Sequence, residues 1–116
     1  MTQLVVDRKA LLESMENDAE FLKTIIEIFL ADCPGKMAAI RAGVAAINLR
    51  EVMQASHSLK GSVSVFGAKS AVEAAQKLES MGREGKQEGL NEALAQLERE
   101  MAVVTFALEE IAKEAV

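Results

Sequence analysis

The stretch Ser56-His57-Ser58-Leu59-Lys60-Gly61-Ser62-Val63-Ser64-Val65-Phe66-Gly67-Ala68 holds the single histidine of the chain. Wound into a helix at ~100° per residue, it brings Val52, Ser56, Leu59, Val63 and Phe66 within about 40° of one line, an apolar stripe that requires a core. His57 faces about 140° away from that stripe, and Arg50, Met53, Lys60, Gly61 and Ser64 share its outward side. The reading is therefore an exposed imidazole with a cation at i+3 and a bare backbone position at i+4. Neutral imidazole keeps a lone pair on one ring nitrogen near neutral pH, with a reference pKa of ~6.5, so it can attack an electrophile without a separate base. A lysine one turn on can offset negative charge gathering on a phosphoryl group. Glycine costs a helix interior roughly 1 kcal/mol relative to alanine, which suggests that a side chain at position 61 would obstruct a partner.

On the N-terminal side, Asn48 followed by Glu51 has capping-box spacing and starts the helix that carries His57. Before it, Asp7 caps a short helix through Leu11, Leu12 and Met15, after an extended Leu4-Val5-Val6. Asn17 or Asp18 caps the next helix, in which Phe21, Leu22, Ile25, Ile28 and Phe29 recur at helical spacing. Pro34 predicts a kink or break at Asp32 to Cys33, then renewed helix with Met37, Ile40, Val44 and Ile47 inward. On the C-terminal side, Gly67 ends or bends the histidine helix, and Ala68, Val72, Ala75 and Leu78 form another stripe. The run Gly82-Arg83-Glu84-Gly85-Lys86-Gln87-Glu88-Gly89 reads as a loop because of its three glycines. Leu90, Leu94, Leu97, Met101, Val104, Leu108, Ile111 and Ala115 then form one long seam. Val103 and Phe106 fall off that seam and are expected to be covered by the N-terminal helix, with an exposed partner patch as the alternative.

The expected fold is all-α, an antiparallel four-helix bundle with a short N-terminal lid helix, as a single domain over residues 1–116. Tryptophan and tyrosine are absent and phenylalanines number four, a composition that suits packed helices better than a sheet. A net charge of −5 argues against nucleic acid held on a broad basic surface. One cysteine and one histidine build neither a disulfide nor a multi-ligand zinc site, which points to the cytoplasm. No apolar stretch approaches the ~20 residues that span a bilayer, and the N-terminus lacks a basic region followed by an apolar run, so no direct membrane insertion is expected. Ser56 faces inward and no third group orients a base, which disfavours a serine nucleophile. Cys33 reads as a core-edge or turn residue.

His57-Ser58-Leu59-Lys60-Gly61-Ser62 followed by Phe66-Gly67-Ala68 resembles the signature of histidine phosphotransfer (HPt) domains of bacterial multistep phosphorelays. The resemblance extends to Phe21 through Asp32, similar to the family's second helix, and to Leu78-Glu79-Ser80-Met81-Gly82-Arg83-Glu84-Gly85, similar to its later helix end and turn. It implies that His57 accepts a phosphoryl group from an aspartyl phosphate on one receiver and passes it to another. Lys60 is implied as the phosphate-stabilising cation and Gly61 as clearance for the docking receiver. Val63 departs from the small residue often found at its position, but it points into the core. Arg50, Met53 and Ser64 are candidate partner contacts because they share the histidine's side.

The implied partners are response-regulator receiver domains and a hybrid sensor histidine kinase. No cofactor is expected on this chain, since magnesium and the aspartate belong to the receiver; no glycine-rich phosphate loop or clustered magnesium carboxylates appear, so it reads as a carrier rather than an enzyme. Two alternatives stand beside the carrier. One is an adaptor bundle that docks receivers without being phosphorylated, which would have no need of the nucleophile. The other is the phosphoacceptor segment of a chemotaxis-type kinase, although Leu78 to Gly85 is nearer the phosphorelay pattern.

Overall fold

The computed structural model describes residues 5–114. The chain is helical: α1 (Arg8–Ser14), α2 (Ala19–Ala45), α3 (Leu49–Ser64), α4 (Lys69–Glu84) and α5 (Leu90–Glu114), with no strand among the described residues. The expected caps form. Asp7 Oδ1 accepts from the Ala10 amide at 3.2 Å, Asp18 Oδ1 from Phe21 at 2.9 Å and Asn48 Oδ1 from Glu51 at 3.2 Å. Each satisfies an amide that the first helical turn leaves without a partner.

α3 packs on α2 and α4, and α5 packs on α4 and α2, so the long helices close a ring around one core. The α3 stripe Val52, Ser56, Leu59, Val63 and Phe66 is buried in full, as its spacing requires. Phe66 meets Phe29 edge to face, with ring centroids 5.0 Å apart, and ties the end of α3 to α2. Leu97, Val104 and Leu108 of α5 fill the opposite wall with no exposed surface. α1 packs on α2, its Leu11 is buried, and Arg8 Nε reaches Glu114 Oε2 on α5 at 3.4 Å. Val6 just before it is buried, whereas Leu4 and the seam residue Ala115 lie outside the described residues.

Four expectations change. α2 runs without a break through Pro34. The proline forfeits one amide bond and crowds the turn before it, at about 3 kcal/mol. Phe29, Cys33, Met37 and Ile40 are all buried along that helix, and burying a side chain of that size stabilises by about 1.5–3 kcal/mol each, so continuity wins. Pro34 itself faces solvent, and an Asp32–Lys36 ion pair at 2.9 Å spans its turn.

Ile47 does not point inward. α2 ends at Ala45, Ile47 adopts a φ of 51°, and its side chain stays 53% exposed because the chain has already left the helical register. Val103 and Phe106 are likewise uncovered, at 48% and 66% exposure, since α1 packs on α2 instead of capping that part of α5.

The glycine-rich loop is shorter than expected. α4 continues through Gly82 to Glu84, and Gly85 ends it in the left-handed conformation with φ 73°. Gly82 is a contact point: a Cβ there would stand 2.6 Å from the Leu49 carbonyl oxygen and 2.8 Å from the Met53 nitrogen. Only glycine lets the two backbones approach so closely.

Candidate functional site

That close approach sets α4 against the outward side of α3, and the sequence of α4 places Glu79 one turn before Gly82. Glu79 is four residues after Ala75, so it falls on the helix's inward stripe, and its side chain is only 3% exposed. An ionised carboxylate in such a place requires partners. It has three: Lys60 Nζ stands 2.7 Å from Oε1, while Arg83 Nη2 and His57 Nδ1 both reach Oε2, at 2.6 and 3.1 Å. The Lys60 ammonium is the largest influence and, with the His57 and Arg83 contacts, outweighs the opposing effect of burial, holding the Glu79 carboxyl below the usual carboxylate range.

The tautomer of His57 follows. An ionised carboxylate only accepts, so Nδ1 carries the proton and donates it to Glu79. In the neutral ring the lone pair is then on Nε2, which has no hydrogen-bond partner among the described residues. With the side chain 68% exposed, Nε2 is open to a reagent from solvent. This is the arrangement by which a buried carboxylate fixes an imidazole's tautomer and orientation.

Lys60, expected on the exposed side, is in fact only 24% exposed. Its ammonium bridges Glu79 and the Gln76 side-chain oxygen, the latter at 2.8 Å, and Gln76 in turn donates to Ser80 Oγ at 2.9 Å. Gly61 is exposed, and a Cβ there would meet nothing within 4 Å, so the position beside the histidine is open space. Arg50 and Ser64 are exposed at opposite ends of α3, and Ser64 Oγ donates to the Gly61 carbonyl at 2.7 Å. Met53 is half-buried, turned against Gly82. The structure thus gathers His57 and Lys60 around one carboxylate and leaves Arg50, Met53 and Ser64 outside that cluster.

Glu79, Gln76 and Arg83 carry no role in the sequence reading. The available signal was a charged residue on an apolar stripe, at i+4 from Ala75 and with an arginine at i+4 beyond it.

The row His57, Gly61, Val65 climbs the outside of α3 at helical spacing, and Val65 is 53% exposed. Beside it a groove of about 160 Å3 runs between α3 and α2, lined by Ile25, Ile28, Asp32, Ser62 and Val65 among others. Ile28 is 60% and Phe21 50% exposed on that side of α2. At the edge, Lys36 Nζ donates to Ser62 Oγ at 2.6 Å.

No curated protein matches the chain. Among solved structures it is similar to the crystal structure of histidine-containing phosphotransfer protein B (HptB) from Pseudomonas aeruginosa PAO1, with a TM-score of 0.87 and 21% identity over 97% of this chain and 98% of that one. That likeness extends over the helices described above and concerns the fold. The family model described as Hpt domain matches residues 24–105, a span that holds all of α3 and α4 and every residue of the Glu79 cluster, and the chain belongs to that family of histidine phosphotransfer domains.

Proposed function

We propose that this phosphorelay histidine phosphotransfer domain carries the phosphoryl group on Nε2 of His57, between the aspartates of receiver domains. The observation that supports it is the exposed ring held at Nδ1 by buried Glu79, beside the open position at Gly61. In the forward step the Nε2 lone pair forms the N–P bond while the P–O bond of the donor's aspartyl phosphate breaks, and that electron pair returns to the donor carboxylate. The Nδ1 proton stays on the ring. The ring therefore gains positive charge as it is phosphorylated, and the Glu79 carboxylate is in contact with it. Return of the group to a second aspartate reverses the same changes. Magnesium and the accepting aspartate are contributions of the receiver, so this chain needs only to present and orient a nucleophile.

Receiver domains, alone or as part of a hybrid sensor histidine kinase, are the partners this reading requires. The exposed apolar surface of Phe21, Ile28 and Val65 adjoins the His57 row and suits a receiver helix laid across α2 and α3. We read the ring of long helices as an antiparallel four-helix bundle with α1 as its lid, a single domain that holds α3 rigid. A bundle that only docks receivers has no use for a clamped imidazole with a free Nε2, which favours the carrier over the adaptor.

The test is phosphate uptake. Incubated with ATP and magnesium alone the protein should stay unlabelled, and with a phosphorylated receiver it should gain one phosphoryl group that is labile in acid and persists in alkali. The His57→Gln variant should gain none. Label from ATP alone, label in the variant, or no label from any receiver of the source genome would each overturn the proposal.

A further inference from the structure

A carboxylate next to the nucleophile favours the ring that becomes positive, but it also repels an arriving phosphoryl dianion. The charges around Glu79 decide which effect the reagent meets. Lys60 lies against Oε1 and is three-quarters buried, so this cation and the carboxylate form a neutral pair as seen from solvent. Arg83 is different. Its guanidinium touches the same oxygen as His57 Nδ1, its side chain is 57% exposed, and Glu79 is its only side-chain partner among the described residues. The remaining N–H groups point to no protein acceptor, and the shared oxygen holds the guanidinium within about two hydrogen-bond lengths of the imidazole.

Two cations against one carboxylate leave one positive charge, and it resides on the exposed member of the cluster. The other cations nearby do not replace it. Lys36 is paired with Asp32 and bonded to Ser62, Lys86 is paired with Glu84, and Arg50 stands about two turns along α3 from His57.

Resting on the carrier reading above, we infer that Arg83 supplies the uncancelled positive charge that draws the phosphoryl group to His57 and steadies it there, a charge that Lys60 cannot present while paired with Glu79. Arg83 acts electrostatically, and its effect is both to raise the rate of phosphoryl arrival and to prolong the phosphorylated state. Lys60 becomes the effective cation only if Glu79 loses its charge.

Phosphoramidate is the probe, because a small donor separates this role from receiver docking. In that reaction Nε2 forms the N–P bond and ammonia leaves with the electron pair of the donor's own P–N bond. Uptake is followed by intact mass at low and high salt for wild type, Arg83→Gln, Arg83→Lys and the double variant Glu79→Gln/Arg83→Gln. Arg83→Gln should slow uptake about ten-fold at low salt, with the gap narrowing at high salt as screening shortens the reach of the charge. Arg83→Lys should keep most of the wild-type rate. The double variant should recover much of the loss, because glutamine still accepts the Nδ1 proton while Lys60 is left uncancelled.

A purely structural Arg83 would give no salt dependence and no rescue. Equal rates for wild type and Arg83→Gln at low salt, or a double variant as slow as the single one, overturn the inference while leaving the carrier reading intact. A wild type labelled neither by phosphoramidate nor by any receiver overturns the carrier reading, and this inference falls with it.

Discussion

His57 Nδ1 on α3 and Glu79 Oε2 on α4 lie 3.1 Å apart, one group open to solvent and the other almost wholly buried. The buried partner sets the tautomer of the exposed one, so losing it should change the reactivity of a residue it does not replace. In Glu79→Ala the Nδ1 proton has no carboxylate to meet. The population with the proton on Nε2 should rise, as read from the imidazole 15N shifts, and uptake from a phosphorylated receiver should slow about ten-fold or more, the equivalent of one hydrogen bond to an ionised group. Glu79→Gln should keep most of the tautomer bias. An unchanged 15N pattern in Glu79→Ala would show that Glu79 does not govern the ring.

The same carboxylate makes the fold sensitive to acid. Its pKa is lowered in the folded protein, chiefly by the Lys60 ammonium, from an unfolded value of about 4.3. A lowered folded value means stabilisation that is present above the unfolded pKa and is lost as pH falls through the folded one. The thermal midpoint of wild type should therefore exceed that of Glu79→Gln at pH 6, and the difference should shrink toward pH 3. A constant difference across that range would place the effect in packing and not in charge.

Two glycines should respond in opposite directions. Gly82→Ala forces a Cβ against the backbone of Leu49 and Met53, neither of which can move without separating α3 from α4. Overpacking of this kind costs about 1–3 kcal/mol, and the loss should appear in chemical denaturation together with weaker His57 to Glu79 coupling. Gly61→Ala meets open space and gains up to about 1 kcal/mol of helix propensity. It should melt higher than wild type yet take phosphate more slowly from a receiver, while uptake from phosphoramidate is unchanged. Faster transfer from the receiver would count against clearance at Gly61.

Pro34 is a standing cost in α2. It faces solvent inside a continuous helix, so Pro34→Ala restores an amide donor and disturbs no buried contact. Stability should rise by about 1–3 kcal/mol in urea titration, with uptake at His57 unaffected. A loss of stability would mean that the proline ring itself supports α2 in the folded protein.

Helical periodicity is a local property, and what it governs was legible from the chain alone. The stripe from Val52 to Phe66, the caps at Asp7, Asp18 and Asn48, and the outward aim of His57 depend on residues within a few positions of one another. The same holds for most of the α5 seam, where Leu97, Val104 and Leu108 are buried at their expected places. Pro34 and Gly82 misled the local reading because each signals a break through its own backbone chemistry, whereas in the fold each is overruled by its neighbours: the buried face of α2 carries the helix past the proline, and the approach of α3 gives the glycine its purpose.

The Glu79 cluster required the tertiary structure. Glu79 is 22 residues from His57, and no period connects them. Only the packing angle and distance of α4 on α3 bring that carboxylate under the imidazole, turn Lys60 from an exposed cation into a paired one, and leave Arg83 with the charge that remains. Sequence determined which side chain is offered to solvent, because that follows from where the apolar ones must go. The electrostatic state of that side chain is a matter of a few ångströms between separate helices, where Coulomb energies vary steeply with distance and burial, and so it was decided by the fold.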